Sequence, residues 1–216
     1  MGVPKSALAV VAGAALTASC ATTPPPLPPV LDYVRQDCHA SPDVSAAVSL
    51  TPEKETNGYL VTTVVGPQTP CLTRAGMATP YVVYALPADL GDKTLAVGGL
   101  LEAMRILSPE VSVLDARGRV TRTFAPSDYF HRGPVYSVQF RPRDGEAFVL
   151  VTSDPARVGR RYEAINVGTS TTTVYTGFGT ANFTTGVEAS TSRMFSHEGA
   201  IQVIVYDTDT KEDGEP

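Results

Sequence analysis

Short β-branched runs cut by glycine and proline recur from residue 59 to residue 206, and no other feature limits the fold of this chain so much. Tyr59-Leu60-Val61-Thr62-Thr63-Val64-Val65 ends at Gly66-Pro67, and Tyr81-Val82-Val83-Tyr84-Ala85-Leu86 stops at Pro87. Thr94 to Val97 starts a strand that Gly98-Gly99 interrupts. Val111 to Asp115 and Val120 to Phe124 flank the turn signal Ala116-Arg117-Gly118-Arg119, the strongest hairpin pattern in the chain. Val135 to Phe140 alternates, with Val138 and Phe140 on one face and Ser137 and Gln139 on the other. Arg141-Pro142-Arg143-Asp144-Gly145 reads as a turn into Ala147 to Thr152, a continuous apolar run suited to a core strand. Ile201, Val203 and Val205 share the inner face of a closing strand. Helix signals are thin: Leu100 to Arg105 has good helix formers but is short and could equally continue a strand, and Pro155 to Tyr162 offers one turn or a short helix after an Asp154 cap.

The 18 glycines and 18 prolines among 216 residues argue against a helical bundle. The expected fold is all-β, an antiparallel two-sheet β-sandwich, jelly-roll-like, with at most one or two short helices. It is placed over residues 37–207. Residues 166–194 differ in composition, being rich in Ser and Thr and punctuated by Gly168, Gly177, Gly179 and Gly186. Thr172 to Phe178 alternates enough for a strand, and Ala181 to Val187 can pair back on it. The plain reading is a polar hairpin or long loop at the sandwich edge. The sharper one is a flap presenting Tyr175, Phe178 and Phe183 to a partner or glycan.

The N-terminus reads as an address. Lys5 precedes the apolar stretch Ala7 to Leu16, about ten residues and too short to span a bilayer. Leu16-Thr17-Ala18-Ser19-Cys20 then resembles the bacterial lipobox. The resemblance implies that residues 1–19 are a signal peptide and that Cys20 is acylated. Ala21 in the next position, in place of an aspartate, implies sorting to the outer membrane, on its periplasmic face. The other reading is an ordinary secretory signal with Cys20 a spare thiol. Residues 20–36 form the tether, and Pro24-Pro25-Pro26-Leu27-Pro28-Pro29 makes it a stiff polyproline II spacer. Residues 208–216 form an acidic tail. In an oxidising periplasm the two remaining cysteines, Cys38 and Cys71, are expected to form a disulfide.

A net charge of −5 disfavours a nucleic-acid binder that works through a basic face. The three histidines, His39, His131 and His197, stand alone without metal-ligand spacing. No Gly-x-Ser-x-Gly elbow, Walker loop or dinucleotide fingerprint occurs. Neither a metal nor another cofactor is therefore expected. The chain has no Trp, so a sugar platform would rely on its nine Tyr, and Tyr129-Phe130-His131 before Gly133-Pro134 is the candidate aromatic cluster. The competing reading places Tyr129 and Phe130 in the core.

Several stretches resemble one family. They are Tyr84-Ala85-Leu86-Pro87-Ala88 before the strand at Lys93, the run Leu107-Ser108-Pro109-Glu110-Val111-Ser112-Val113-Leu114-Asp115, and Phe124 followed by Tyr129-Phe130. Phe148 to Ser153, the region of Tyr162 and Glu198-Gly199-Ala200-Ile201 complete the set. Over roughly 80–207 the chain is similar to the maltose operon periplasmic proteins. That resemblance implies a periplasmic accessory protein linked to maltose and maltodextrin uptake, with no catalytic residues to carry over. The lipobox, the two cysteines and the 166–194 segment depart from the family pattern.

The expected function is that of a non-catalytic lipoprotein, a binding module for maltodextrin or an envelope glycan. Tyr129, His131, Tyr175, Phe178 and Phe183 are its candidate ligand contacts. The alternative is a structural subunit docking on an outer-membrane porin or transporter. A hydrolase is the weakest of the three readings.

Overall fold

The chain is seen in a computed structural model that describes residues 24–54, 56–175 and 180–207. The expected signal peptide, Cys20, Phe178 and the expected acidic tail lie outside the described residues. After a 3-10 turn at Val44–Ala46 the strands follow in order. They are β1 (Val48–Ser49), β2 (Gly58–Val65), β3 (Cys71–Arg74), β4 (Met77–Ala85), β5 (Lys93–Leu100), β6 (Arg105–Leu107) and β7 (Pro109–Asp115). Then come β8 (Val120–Thr123), β9 (Phe130–Arg132), β10 (Val135–Phe140), β11 (Glu146–Ser153), β12 (Arg161–Tyr175), β13 (Thr180–Ser196) and β14 (Gly199–Asp207). A second 3-10 turn, Pro126–Asp128, precedes β9.

Eight of these strands wind as a folded-over hairpin. β2 pairs with β14, β4 with β11, β5 with β10 and β7 with β8, all antiparallel. The first strand of the eight thus meets the last, the second the seventh, and so inward. The resulting sheet orders are β2-β14-β5-β10-β9 and β1-β4-β11-β7-β8, with β3 added to β4. This is the winding of a jelly roll, so the expected sandwich is what the chain forms.

The alternating residues meet where the sequence pattern puts them. Tyr84, Leu95, Val97, Val113, Val138, Val149, Ile201 and Val203 fill one core between the two sheets. Each such side chain removed from water contributes about 1.5–3 kcal/mol. A second cluster lies on the outer face of β4, β7 and β11, where Tyr81, Val83, Leu114 and Leu150 are covered by Leu72, Val44 and Ala47. The run Tyr81 to Tyr84 does not alternate because both its faces are buried. Cys38 and Cys71 form a disulfide, with Cα atoms 4.7 Å apart, that fixes this cover. The N–H of His39 donates to Cys71 O beside it.

One local expectation changes and two open alternatives are decided. Gly98 and Gly99 do not interrupt a strand; they lie inside continuous β5. A Cβ on Gly98 would sit 2.0 Å from the Tyr136 carbonyl oxygen, so glycine is required there by the close approach of β10. Leu100 to Arg105 is the end of β5 and the turn into β6. Pro155 to Tyr162 is a turn followed by the start of β12, with Asp154 Oδ1 accepting from the Ala156 N–H at 2.9 Å.

The Thr-rich segment is a ribbon. β12 and β13 pair antiparallel from Arg161↔Met194 to Tyr175↔Thr180. At its root, Met194 to Ser196 of β13 pair in parallel with β6. The chain from Val30 onward is also tied to the body, at the same root: the Val30 N–H donates to Ser196 Oγ at 2.8 Å, and the His197 N–H donates to Val30 O at 2.9 Å.

Candidate binding groove

The strand at Phe130 splits the aromatic cluster read from the sequence. Tyr129 is 6% exposed, and its hydroxyl oxygen accepts from the Val111 N–H at 2.8 Å. Burial pushes its pKa above the usual tyrosine range. As a ligand contact Tyr129 is therefore corrected to a core residue that secures β7. Phe130, next in sequence, is 58% exposed. His131 is half-buried and meets the edge of Tyr162, ring centroids 6.4 Å apart.

Tyr162 stands at the root of the ribbon, whereas Tyr175 ends β12 thirteen residues later and is exposed. Phe183 takes a register position on β13 opposite Thr172. Among the described residues the sequence candidates are thus divided between the body and the ribbon, and no single site gathers them.

Behind Tyr129, Arg157 is buried within an aromatic enclosure. Its guanidinium carbon lies 4.8 Å from the Tyr129 ring centroid, 5.4 Å from Phe195 and 5.7 Å from Tyr136. Asp154 pairs with it at 2.8 Å, and its remaining donors reach Tyr136 Oη and Pro109 O. Every face of this charge is engaged, which makes it a structural post.

The open site lies on the other side of Phe130. A groove of about 650 Å³ is lined by Arg122, Phe124, Asp128, Phe130, Arg132, Val138, Gln139, Phe140, Arg141, Pro142 and Arg143. β8 supplies Arg122, the segment between β8 and β9 supplies Phe124 and Asp128, β9 supplies Phe130 and Arg132, β10 supplies Val138 to Phe140, and the β10–β11 loop supplies Arg141, Pro142 and Arg143.

Glu146 organises the floor. Its carboxylate, 3% exposed, accepts from Arg122 Nε at 2.9 Å and Nη2 at 2.8 Å, from Thr121 Oγ1 at 3.1 Å and from the Arg143 N–H at 2.8 Å. Arg122 also donates to Arg141 O at 2.8 Å and lies over Phe124 and Phe140, with centroids 5.4 and 5.0 Å away. One buried carboxylate thus holds the loop by its backbone and leaves Arg141 and Arg143 exposed. Arg132 stacks over Phe130 at 5.4 Å and donates to Ser137 O. Asp128 Oδ2 accepts from the Ala125 N–H at 2.8 Å.

Four arginines against Asp128 and the Glu146 beneath them leave a net charge of +2 in a protein of net charge −5. Guanidinium forks and phenyl faces side by side suit a ligand that carries both an anionic group and a flat or apolar surface. The lining contains no histidine, cysteine, serine or threonine.

No family model, curated protein or solved structure matches this chain. The likeness to the maltose operon periplasmic proteins thus rests on the quoted residues alone.

A second hollow, about 460 Å³, lies under residues 31–35. There Ser153 Oγ is 3.0 Å from His197 Nδ1, with Asp32 acting on the imidazole through space. The grouping has the residue types of a hydrolase triad. Ser153 is 1% exposed, however, and its N–H and C=O are bonded to Thr79 Oγ1, so its hydroxyl is sealed inside the body. The arrangement serves as a clasp between β11 and the residue after β13.

Of the cluster Tyr129-Phe130-His131 read from the sequence, Phe130 lines the arginine groove. The sequence reading missed Arg141-Pro142-Arg143, which it treated as turn chemistry alone. The available signal was two arginines in one turn of an acidic chain, one strand away from Phe130.

Proposed function

We propose that the protein is a non-catalytic lipoprotein of the cell envelope, held to the periplasmic face of the outer membrane through Cys20. Its groove takes an envelope glycan bearing phosphate or carboxylate groups. The arginine and phenylalanine lining is the observation that carries this reading, because a neutral maltodextrin gives Arg141 and Arg143 no anion to bind. The lipobox-like Leu16 to Cys20 supports the address, the proline spacer supports a body held off the bilayer, and the Cys38–Cys71 disulfide suits an oxidising compartment.

Calorimetric titration of the mature protein in detergent tests the reading. A phosphorylated lipopolysaccharide core oligosaccharide is expected to bind with an affinity that falls as salt rises, and the Arg141→Ala/Arg143→Ala variant to bind at least tenfold more weakly. Maltoheptaose is expected to give no heat. Binding of maltoheptaose with no binding of the charged oligosaccharide would reverse the choice of ligand.

A further inference from the structure

β14 delivers the acidic end of the chain to the arginine groove. It runs antiparallel to β5, with Tyr206 opposite Thr94 and Asp207 opposite Lys93. β10 lies on the other side of β5, with Phe140 opposite Leu95. Asp207 and the loop from Arg141 to Arg143 therefore stand at one end of one sheet, two strand spacings apart, or roughly 10 Å. Asp207 is fixed there: its N–H donates to Asn57 O at 3.1 Å, and its carboxylate accepts from Lys93 Nζ at 2.8 Å.

The groove holds a strand position that no strand fills among the described residues. β9 pairs with β10 only over Val135 to Ser137. Past Ser137, β10 keeps β5 on one side and meets the groove on the other. Pro134 O accepts from the Leu101 N–H, toward β5. Backbone direction alternates along an antiparallel strand, so Val138 and Phe140 also face β5, and Gln139 turns its N–H and C=O into the groove. Arg141 O, two residues on, keeps that outward sense and is taken by Arg122. The side chains of Arg141 and Arg143 are exposed beside this opening, and no salt bridge among the described residues engages either.

Residues 208–216 have the charge and the length to fill it. Asp209, Glu212, Asp213 and Glu215 against Lys211 give four acids to one base, a charge of −3. The groove, with four arginines against Asp128 and Glu146, carries +2. From Asp207 to the open strand position is three spacings, about 14 Å, which four or five extended residues cover at about 3.4 Å each. Glu212, Asp213 and Glu215 then come within reach of Arg141 and Arg143. No proline occurs between Thr208 and Glu215, so every N–H needed for pairing is present.

We infer that residues 208–216 dock in this groove as a short strand beside Gln139, with their carboxylates on Arg141 and Arg143, so that the chain's own acidic segment competes with the groove's anionic ligand. A tethered segment acts at a roughly millimolar effective concentration, so individually weak ion pairs suffice to hold it, and salt releases it. The competition rests on the anionic-glycan reading above; the docking rests on charge, register and reach.

The test compares the full-length mature protein with a variant of the same length, Asp209→Asn/Glu212→Gln/Asp213→Asn/Glu215→Gln, which keeps the Lys93–Asp207 pair. Both are treated with phenylglyoxal, and the modification of each arginine is followed by mass spectrometry. In wild type at low salt, Arg141 and Arg143 are expected to react about threefold or more slowly than in the variant, and the difference to vanish at high salt. The exposed Arg117 should react alike in both. Equal rates at Arg141 and Arg143 or a change of the same size at Arg117 would overturn the docking. So would protection that grows with protein concentration, which places the segment on a second copy. Calorimetric titration with the phosphorylated oligosaccharide separates the two readings. The variant is expected to bind it about threefold or more tightly than wild type. Equal affinity in the two proteins overturns the competition. No binding in either, with the arginines still protected, removes the glycan and leaves the docking.

Discussion

The backbone N–H of Val30 donates to Ser196 Oγ at 2.8 Å across 166 positions of chain, fastening the end of the proline spacer to the last residue of β13. Ser196 is fully buried and accepts from the Glu198 N–H as well, at 3.1 Å. Ser196→Ala removes the acceptor and leaves the Val30 donor without it. A loss of about 1–3 kcal/mol is expected in urea unfolding. Trypsin should also cut faster after Arg35, whose side chain is held by Asp37 and by Pro67 O. Unchanged stability and unchanged cleavage would show that the spacer is not fastened there.

Gly98 and Gly58 give an opposed pair. A Cβ at Gly98 meets Tyr136 O at 2.0 Å and Ser137 Cα at 2.5 Å, whereas one at Gly58 meets nothing within 4 Å. Gly98→Ala must push β5 and β10 apart and is expected to lower stability by about 3 kcal/mol or more. Gly58→Ala should stay within about 0.5 kcal/mol of wild type. Thermal melts of the two variants measure the contrast.

The Cys38–Cys71 bridge closes a loop with a sequence separation of 33. Chain-entropy reasoning gives about 3–4 kcal/mol for such a loop. The Cys38→Ala/Cys71→Ala variant should lose an amount of that order in chemical denaturation. Because the bridge holds the cover over Tyr81 and Leu114, the loss should come with faster proteolysis of residues 38–47.

His197 makes the clasp sensitive to pH. Burial lowers its pKa below the ordinary histidine value, with Asp32 acting in the opposite direction. A depressed folded pKa adds stability that is present above the unfolded value, about 6.5, and is lost as pH falls below that value and through the lower folded pKa. Glu198 beside it has the opposite sign: burial raises its pKa, so its penalty is present at neutral pH and eases on acidification. The melting temperature is therefore expected to fall between pH 7 and pH 5.5, and to fall less in His197→Asn. A wild type whose melting temperature rises over that interval would assign the region to Glu198.

The strands were legible because a period of two survives in any sheet with one buried face. Val138 with Phe140, and Ile201 with Val203 and Val205, showed their inner faces directly, and both sets lie in the core. The turn at Asp115 was equally plain, since its carboxylate accepts from the Arg117 and Arg119 N–H groups within five residues. Gly98 was not legible. A glycine that ends a strand and a glycine that lets another backbone come close look alike until the neighbour, here Tyr136, is in place.

Local patterning by itself determined the all-β class, the positions of most strands and the polar hairpin. These follow from interactions between residues a few positions apart. Only the tertiary structure decided that Tyr129 faces inward and Phe130 outward, and that Glu146 sets Arg141 and Arg143 beside Phe130. It also decided that the spacer and the ribbon share a root at Ser196. Those relations join residues from different strands, and their energy depends on burial and on hydrogen-bond partners that exist only once the sheets have closed.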